Sequence, residues 1–292
     1  MVLHSIFAAP LLPATWAHLH STYSSLQLTS LGLFFVVFVT YWTLGLAFLL
    51  LDWARRPACL YRHKIQLDVG LDTAALPRLF RTLLVGQALV LLPLSLLLGW
   101  LSTSCGVGIV VREAPPAVGE AMWQIAAFVA WEEVAFYYSH RALHLPFLYR
   151  RIHKVHHEWK APVALAASYA HPAELLVSNV LPLVAGPVLC RAHVLTCYVW
   201  FVVAIAGSQL HHCGYRLWFL HLPWDAQPMF HDYHHEAFSG NYGLLTVLDW
   251  VHGTDKAWRA AQKKQRTMMG EEGGAEEVGK GKGRRGLGAV GR

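Results

Sequence analysis

Eight histidines fall into three tight sets along this chain. They read H-x3-H at His140 and His144, H-x2-H-H at His153, His156 and His157, and a second H-x2-H-H at His231, His234 and His235. Thirteen of the 18 histidines lie between His140 and His235, so the enrichment is local. On a helix, positions four apart share a face, whereas adjacent positions diverge by about 100°. His140 and His144 can therefore close on one ion, and His153 with His156 or His157 on one or two. A zinc ion takes about four ligands, so eight clustered imidazoles predict two metals. Such a field suits iron, copper, nickel or zinc better than magnesium or calcium. Buried without a cation, that many rings would leave many ring nitrogens lacking partners. The scattered His4, His18, His20, His63 and His193 read instead as hydrogen-bonded or interfacial residues.

The elements that must carry these sets are membrane helices. Of 292 residues, 55% are hydrophobic and only 14% charged, the profile of an integral membrane protein. Leu31 to Leu51 is an uncharged run long enough to cross a bilayer, and Arg55, Arg56, Arg62 and Lys64 follow it. The positive-inside rule makes that loop cytoplasmic. No Lys or Arg precedes it, so the basic start of a signal peptide is missing. Thr82 to Cys105 predicts the return crossing, and a third apolar segment from Ala121 brings the chain back to the cytoplasmic side just before His140. Leu175 to Cys190 and His193 to Leu210 predict either a dipping hairpin or a tilted spanning pair.

The predicted fold is thus all-α, an integral membrane helical bundle with a histidine-rich di-metal cap on its cytoplasmic face. It divides into a lumenal segment 1–30, transmembrane helices 31–120, a catalytic region 121–260 and a Gly-, Glu-, Lys- and Arg-rich disordered tail 261–292. The net charge of +6 suits anionic lipid headgroups, and no nucleic-acid motif accompanies it. Five cysteines without a C-x-x-C pair argue against a disulfide framework and a zinc ribbon.

The series HRALH (140–144), HKVHH (153–157) and HDYHH (231–235) resembles the membrane-bound fatty acid hydroxylase superfamily. SYAHPAE (168–174), HHCGY (211–215), LPW (222–224) and NYGLLTVLDWVHGTD (241–255) are similar to its C4-methylsterol monooxygenase branch. The resemblance implies a di-iron enzyme of the endoplasmic reticulum membrane. It would use O2, with electrons from NAD(P)H through cytochrome b5 or its reductase, to oxidise the 4-methyl group of a sterol. The ligands it implies are His140, His144, His153, His156, His157, His231, His234 and His235, joined by His171 of YAHP and His212 of H-x-G-Y. His211 and His221 stand next to these motifs.

An unactivated methyl group has neither an acidic proton nor a leaving group, so side-chain bases and nucleophiles cannot attack it and a metal must carry the chemistry. The nearby carboxylates Glu132, Glu133, Glu158, Asp232 and Glu236 are expected to accept ring N–H groups of the ligands, Asp232 first among them. Tyr137, Tyr169, Trp224 and Tyr242 are candidates to line a flat sterol slot. Other readings stay open at this point: the same chemistry on a fatty-acyl or sphingoid lipid or as a sterol C5-desaturase, a zinc protease lacking its usual H-E-x-x-H, a non-catalytic sterol-binding protein, or a haem bundle.

Overall fold

The computed structural model describes residues 11–217, 227–265 and 267. Among them there is no strand, only two isolated bridges, Lys64 with Tyr215 and Val110 with His193. A first helix, α1 (Leu11–Thr22), precedes α2 (Ser25–Ala54). Ser24 starts α2 with a capping box, its hydroxyl accepting from Gln27 N while Gln27 reaches back to Ser24 N. Arg55 ends it in a left-handed turn. Next come α3 (Leu76–Ser104), α5 (Pro172–Leu189) and α6 (Val194–His212), with α4 (Val118–Leu143) between α3 and α5.

Helices α2, α3, α5 and α6 are long and apolar enough to cross a membrane. Leu31, Phe35, Leu50, Leu89 and Trp100 are exposed on them, and helices apolar all round belong in lipid. The chain is therefore a multi-pass membrane protein. The expected third crossing is α4. At 26 residues it measures about 39 Å, but Glu120, Gln124, Glu132, Glu133 and Arg141 along it keep it out of the apolar set.

The helices meet around two kinds of contact. Toward one end, Phe128 of α4 packs edge-on against Trp200 of α6 at 5.6 Å, in a cluster with Trp16, Leu33 and Phe201. His193 caps α6 there, accepting from Leu195 N at 3.1 Å, the structural role expected of it. At the other end lie the C-termini of α2, α4 and α6 and the N-termini of α3 and α5. There Lys64 pairs with the buried Asp52, which also accepts from Tyr215 Oη at 2.7 Å. All three histidine sets sit at this end, the last on α7 (Met229–Ala237). His221, Trp224, LPW and the tail from about Gly270 lie outside the described residues.

Candidate metal centre

His140 ends α4, His153, His156 and His157 lie on a tight turn at His153–Glu158, His212 ends α6, and His231, His234 and His235 ride α7. Together they form two groups. His140, His144, His153, His157 and His234 make the first, and His156, His212, His231 and His235 the second, with the candidate donor atoms of each group within 4.8 Å of one another. The groups abut: the rings of His157 and His235 are 4.8 Å apart. Each H-x2-H-H set is split between the groups, because its adjacent histidines point in different directions.

The ring nitrogens are set for metal and not for each other. His140 Nδ1 donates to Tyr242 O at 2.8 Å, His156 Nδ1 to Tyr169 O at 3.2 Å, His212 Nδ1 to Ser208 O at 2.8 Å and His234 Nδ1 to Gly240 O at 2.6 Å. Each of these bonds fixes the proton on Nδ1 and leaves Nε2 a lone pair. His156 and His212 then face each other with two lone pairs 3.4 Å apart, which cannot hydrogen-bond. Other Nε2 to Nε2 separations are 3.0 Å for His144 and His153, 3.1 Å for His153 and His157, 2.8 Å for His212 and His231, and 3.1 Å for His231 and His235. Imidazoles bound to one ion at about 2.1 Å have their donors about 3.0–3.4 Å apart. His157 Nδ1, His235 Nδ1 and His234 Nε2 are buried without a hydrogen-bond partner among the described residues. The donor set fits two cations.

Burial keeps the rings neutral, as ligands must be. It lowers His144 and His156 to about 4, and the neighbouring His156 ring adds to the effect at His144. His153, His157, His231, His234 and His235 are held below the usual histidine range by burial and then by neighbouring rings.

His171 stands outside both groups. Its Nδ1 accepts from Ala173 N at 3.2 Å and caps the start of α5, where Pro172 occupies the first turn. The expected carboxylates also hold other partners. Glu133 accepts backbone N–H groups of Leu244, Leu245 and Leu248, and Glu158 takes Arg78 and Tyr169. Asp232 accepts from Gln66 Nε2 at 2.8 Å, and burial pushes its carboxyl up to about 6. Among the described residues, Glu174 holds a ring of the two groups, its Oε1 accepting from His153 Nδ1 at 2.8 Å. Its signal was present: it is the last charge before the uncharged run from Leu175 to Cys190.

The histidines open onto an apolar cavity of about 520 Å³. It runs along α5 from Glu174 to Val188, about 21 Å at helical rise. His140, His153, His156, His212 and His231 line it at one end, with Glu132 on the α4 wall. Its aromatic lining is Phe34, Phe136, Trp200 and Phe201, and the expected Tyr137, Tyr169 and Tyr242 are not part of it. Tyr137 Oη instead meets Thr254 Oγ1 at 3.2 Å, Tyr169 faces a separate polar depression with Arg78 and Lys160, and Tyr242 offers the centre its carbonyl.

The fatty acid hydroxylase family model matches residues 125–254, which begin inside α4 and include both histidine groups. "Fatty acid hydroxylase domain-containing protein 2" of Homo sapiens is 35% identical over 264 residues, covering 88% of this chain and 76% of its own. The chain belongs to the fatty acid hydroxylase family. Other members similar to it include "Methylsterol monooxygenase 2-2" of Arabidopsis thaliana, 34% identical over 84% of this chain and 92% of its own. "Very-long-chain aldehyde decarbonylase GL1-8" of Oryza sativa subsp. indica is 34% identical over 90% and 99%. No solved structure matches this fatty acid hydroxylase chain.

Proposed function

We propose that this protein is an O2-dependent lipid oxidase that holds two iron ions in the two imidazole groups and oxidises the 4-methyl group of a sterol. The observation that carries it is the meeting of two inward-facing sets of ring nitrogens with one end of a long apolar cavity. Membership of the family supports oxidation of a lipid. The methylsterol monooxygenase relative, together with the YAHPAE and NYGLL motifs, favours the sterol.

His140, His144, His153, His157 and His234 would hold one ion and His156, His212, His231 and His235 the other. When bound, the irons supply the O2-derived oxidant that an unactivated C–H bond requires. The chain supplies position and environment. Carbonyls of Tyr242, Tyr169, Ser208 and Gly240 keep the ring protons on Nδ1. Leu, Val and Phe side chains from α2 to α6 take the apolar body of the lipid and exclude water from its reacting end. One oxygen atom enters the methyl group as hydroxyl and the other leaves as water, consuming two electrons and two protons. NAD(P)H supplies the electrons through cytochrome b5 or its reductase.

The histidine end carries Arg55, Arg56, Arg62, Arg150, Arg151 and Lys154, against Arg112 and Arg191 at the opposite end. That asymmetry supports a cytoplasmic centre, and the endoplasmic reticulum is the proposed membrane. A long-chain lipid is the second reading, favoured by the aldehyde decarbonylase relative, whose whole length is matched. Purified protein loaded with iron and given a chemical reductant should take up O2 and form 4-hydroxymethylsterol. Turnover of ceramides, fatty acyl chains or long-chain aldehydes in place of 4-methylsterols would transfer the assignment to those lipids. Lack of O2 uptake with all of them would end the oxidase reading.

A further inference from the structure

Two ring anchors of the first group come from one short segment. Gly240 O holds His234 and Tyr242 O holds His140. The second group takes its carbonyls from elsewhere, Tyr169 O for His156 and Ser208 O for His212. From Phe238 to Thr246 the segment is irregular. It has no internal ladder of backbone bonds, so side chains must fix its shape.

Two buried carboxylates do so. Glu133, on α4, accepts from Leu244 N at 2.9 Å and Leu245 N at 2.8 Å through Oε2, and from Leu248 N at 3.3 Å through Oε1. Asp249 accepts from Tyr242 N at 2.8 Å and Thr254 Oγ1 at 2.5 Å through Oδ1, and from Gly243 N at 2.6 Å through Oδ2. Gly243 lies between the two: a Cβ there would sit 2.8 Å from Asp249 Oδ2 and 3.0 Å from Glu133 Oε1. Asn241, in a left-handed conformation at φ 56°, ties the segment to α7 through Nδ2 and Phe230 O at 2.9 Å. Neither carboxylate belongs to a histidine group.

We propose that Glu133 and Asp249 are positioning residues for one ion only, holding the carbonyls that aim the first group's rings while the second group is aimed independently. The NYGLL-x3-D stretch is then the mount of half the centre. This rests on the two-ion reading above. In Glu133→Gln or Asp249→Asn, an NH2 replaces an oxygen that accepts from backbone N–H, so donor meets donor and the mount shifts. Gly243→Ala perturbs the same point without changing charge.

The test is iron content per purified full-length chain, with Co2+ titration of the iron-free protein followed by its visible absorption. Wild type should bind two ions. Each of the three variants should weaken one ion by about 10–100-fold, the usual effect of removing an outer support, and leave the other unchanged. Combining Glu133→Gln with His212→Ala should leave neither tightly held. Two ions at unchanged affinity in all three variants would overturn the proposal, as would joint loss of both ions, with or without loss of helicity. A wild-type chain that binds no metal would instead refute the two-ion reading itself.

Discussion

His234 and His235 are neighbours in the chain yet serve different groups, since one helical step of about 100° turns their rings apart. His234→Ala and His235→Ala should each leave about one iron per chain, measured by elemental analysis, and each should abolish oxidation without impairing membrane insertion. Retained turnover in both would contradict the ligand assignment. The pH response belongs to the same rings. Burial holds His144 and His156 at about 4, against about 6.5 in an unfolded chain. Between those values the unfolded state binds more protons, so their contribution to stability is full above about pH 6.5 and is lost as pH falls toward 4. The melting temperature of metal-free protein should decline across that window. A flat profile would mean that the rings are not buried and neutral in solution.

Helix α2 must approach α6 closely for the bundle to close over the centre, and Gly45 permits it. A Cβ there would lie 2.3 Å from Leu165 Cδ2 and 2.7 Å from Gln209 Nε2. Gly45→Val should cost about 1–3 kcal/mol by overpacking, read as a lowered melting temperature in detergent; an unshifted melt would show that α2 packs elsewhere. Gly45 carried no such signal in the sequence, where it is one small residue in an apolar run. The run itself was legible: Leu31 to Leu51 falls inside α2, Thr82 to Cys105 largely inside α3, and the two runs around Arg191 are α5 and α6. The histidine sets were legible too, because side-chain type and spacing are written in sequence. Their supports were not, because Tyr242, Tyr169, Ser208 and Gly240 act through carbonyls, which every residue has. Glu133 read as a ring partner for its nearness to His140 in the chain, but the fold directs it to Leu244, Leu245 and Leu248.

Across the whole molecule, the cavity joins the membrane interior to the centre, and α6 lines much of it through Trp200, Ala204 and Ser208. Ala204→Trp should fill the passage, cutting lipid turnover at least tenfold while iron content stays at two; equal activity would mean that the substrate arrives by another route. The two ends of the bundle are also fastened differently. Phe128 and Trp200 close one end by ring packing and by the Trp200 Nε1 bond to Leu183 O at 3.0 Å, whereas at the other the facing lone pairs of His156 and His212 would repel unless a cation lay between them. Stripping the ions should therefore unzip the molecule from one side. Amide exchange would quicken near His153 to Glu158 and along α7 while the far half stays protected, so that a chelator acts as a key to one end of a barrel still hooped at the other.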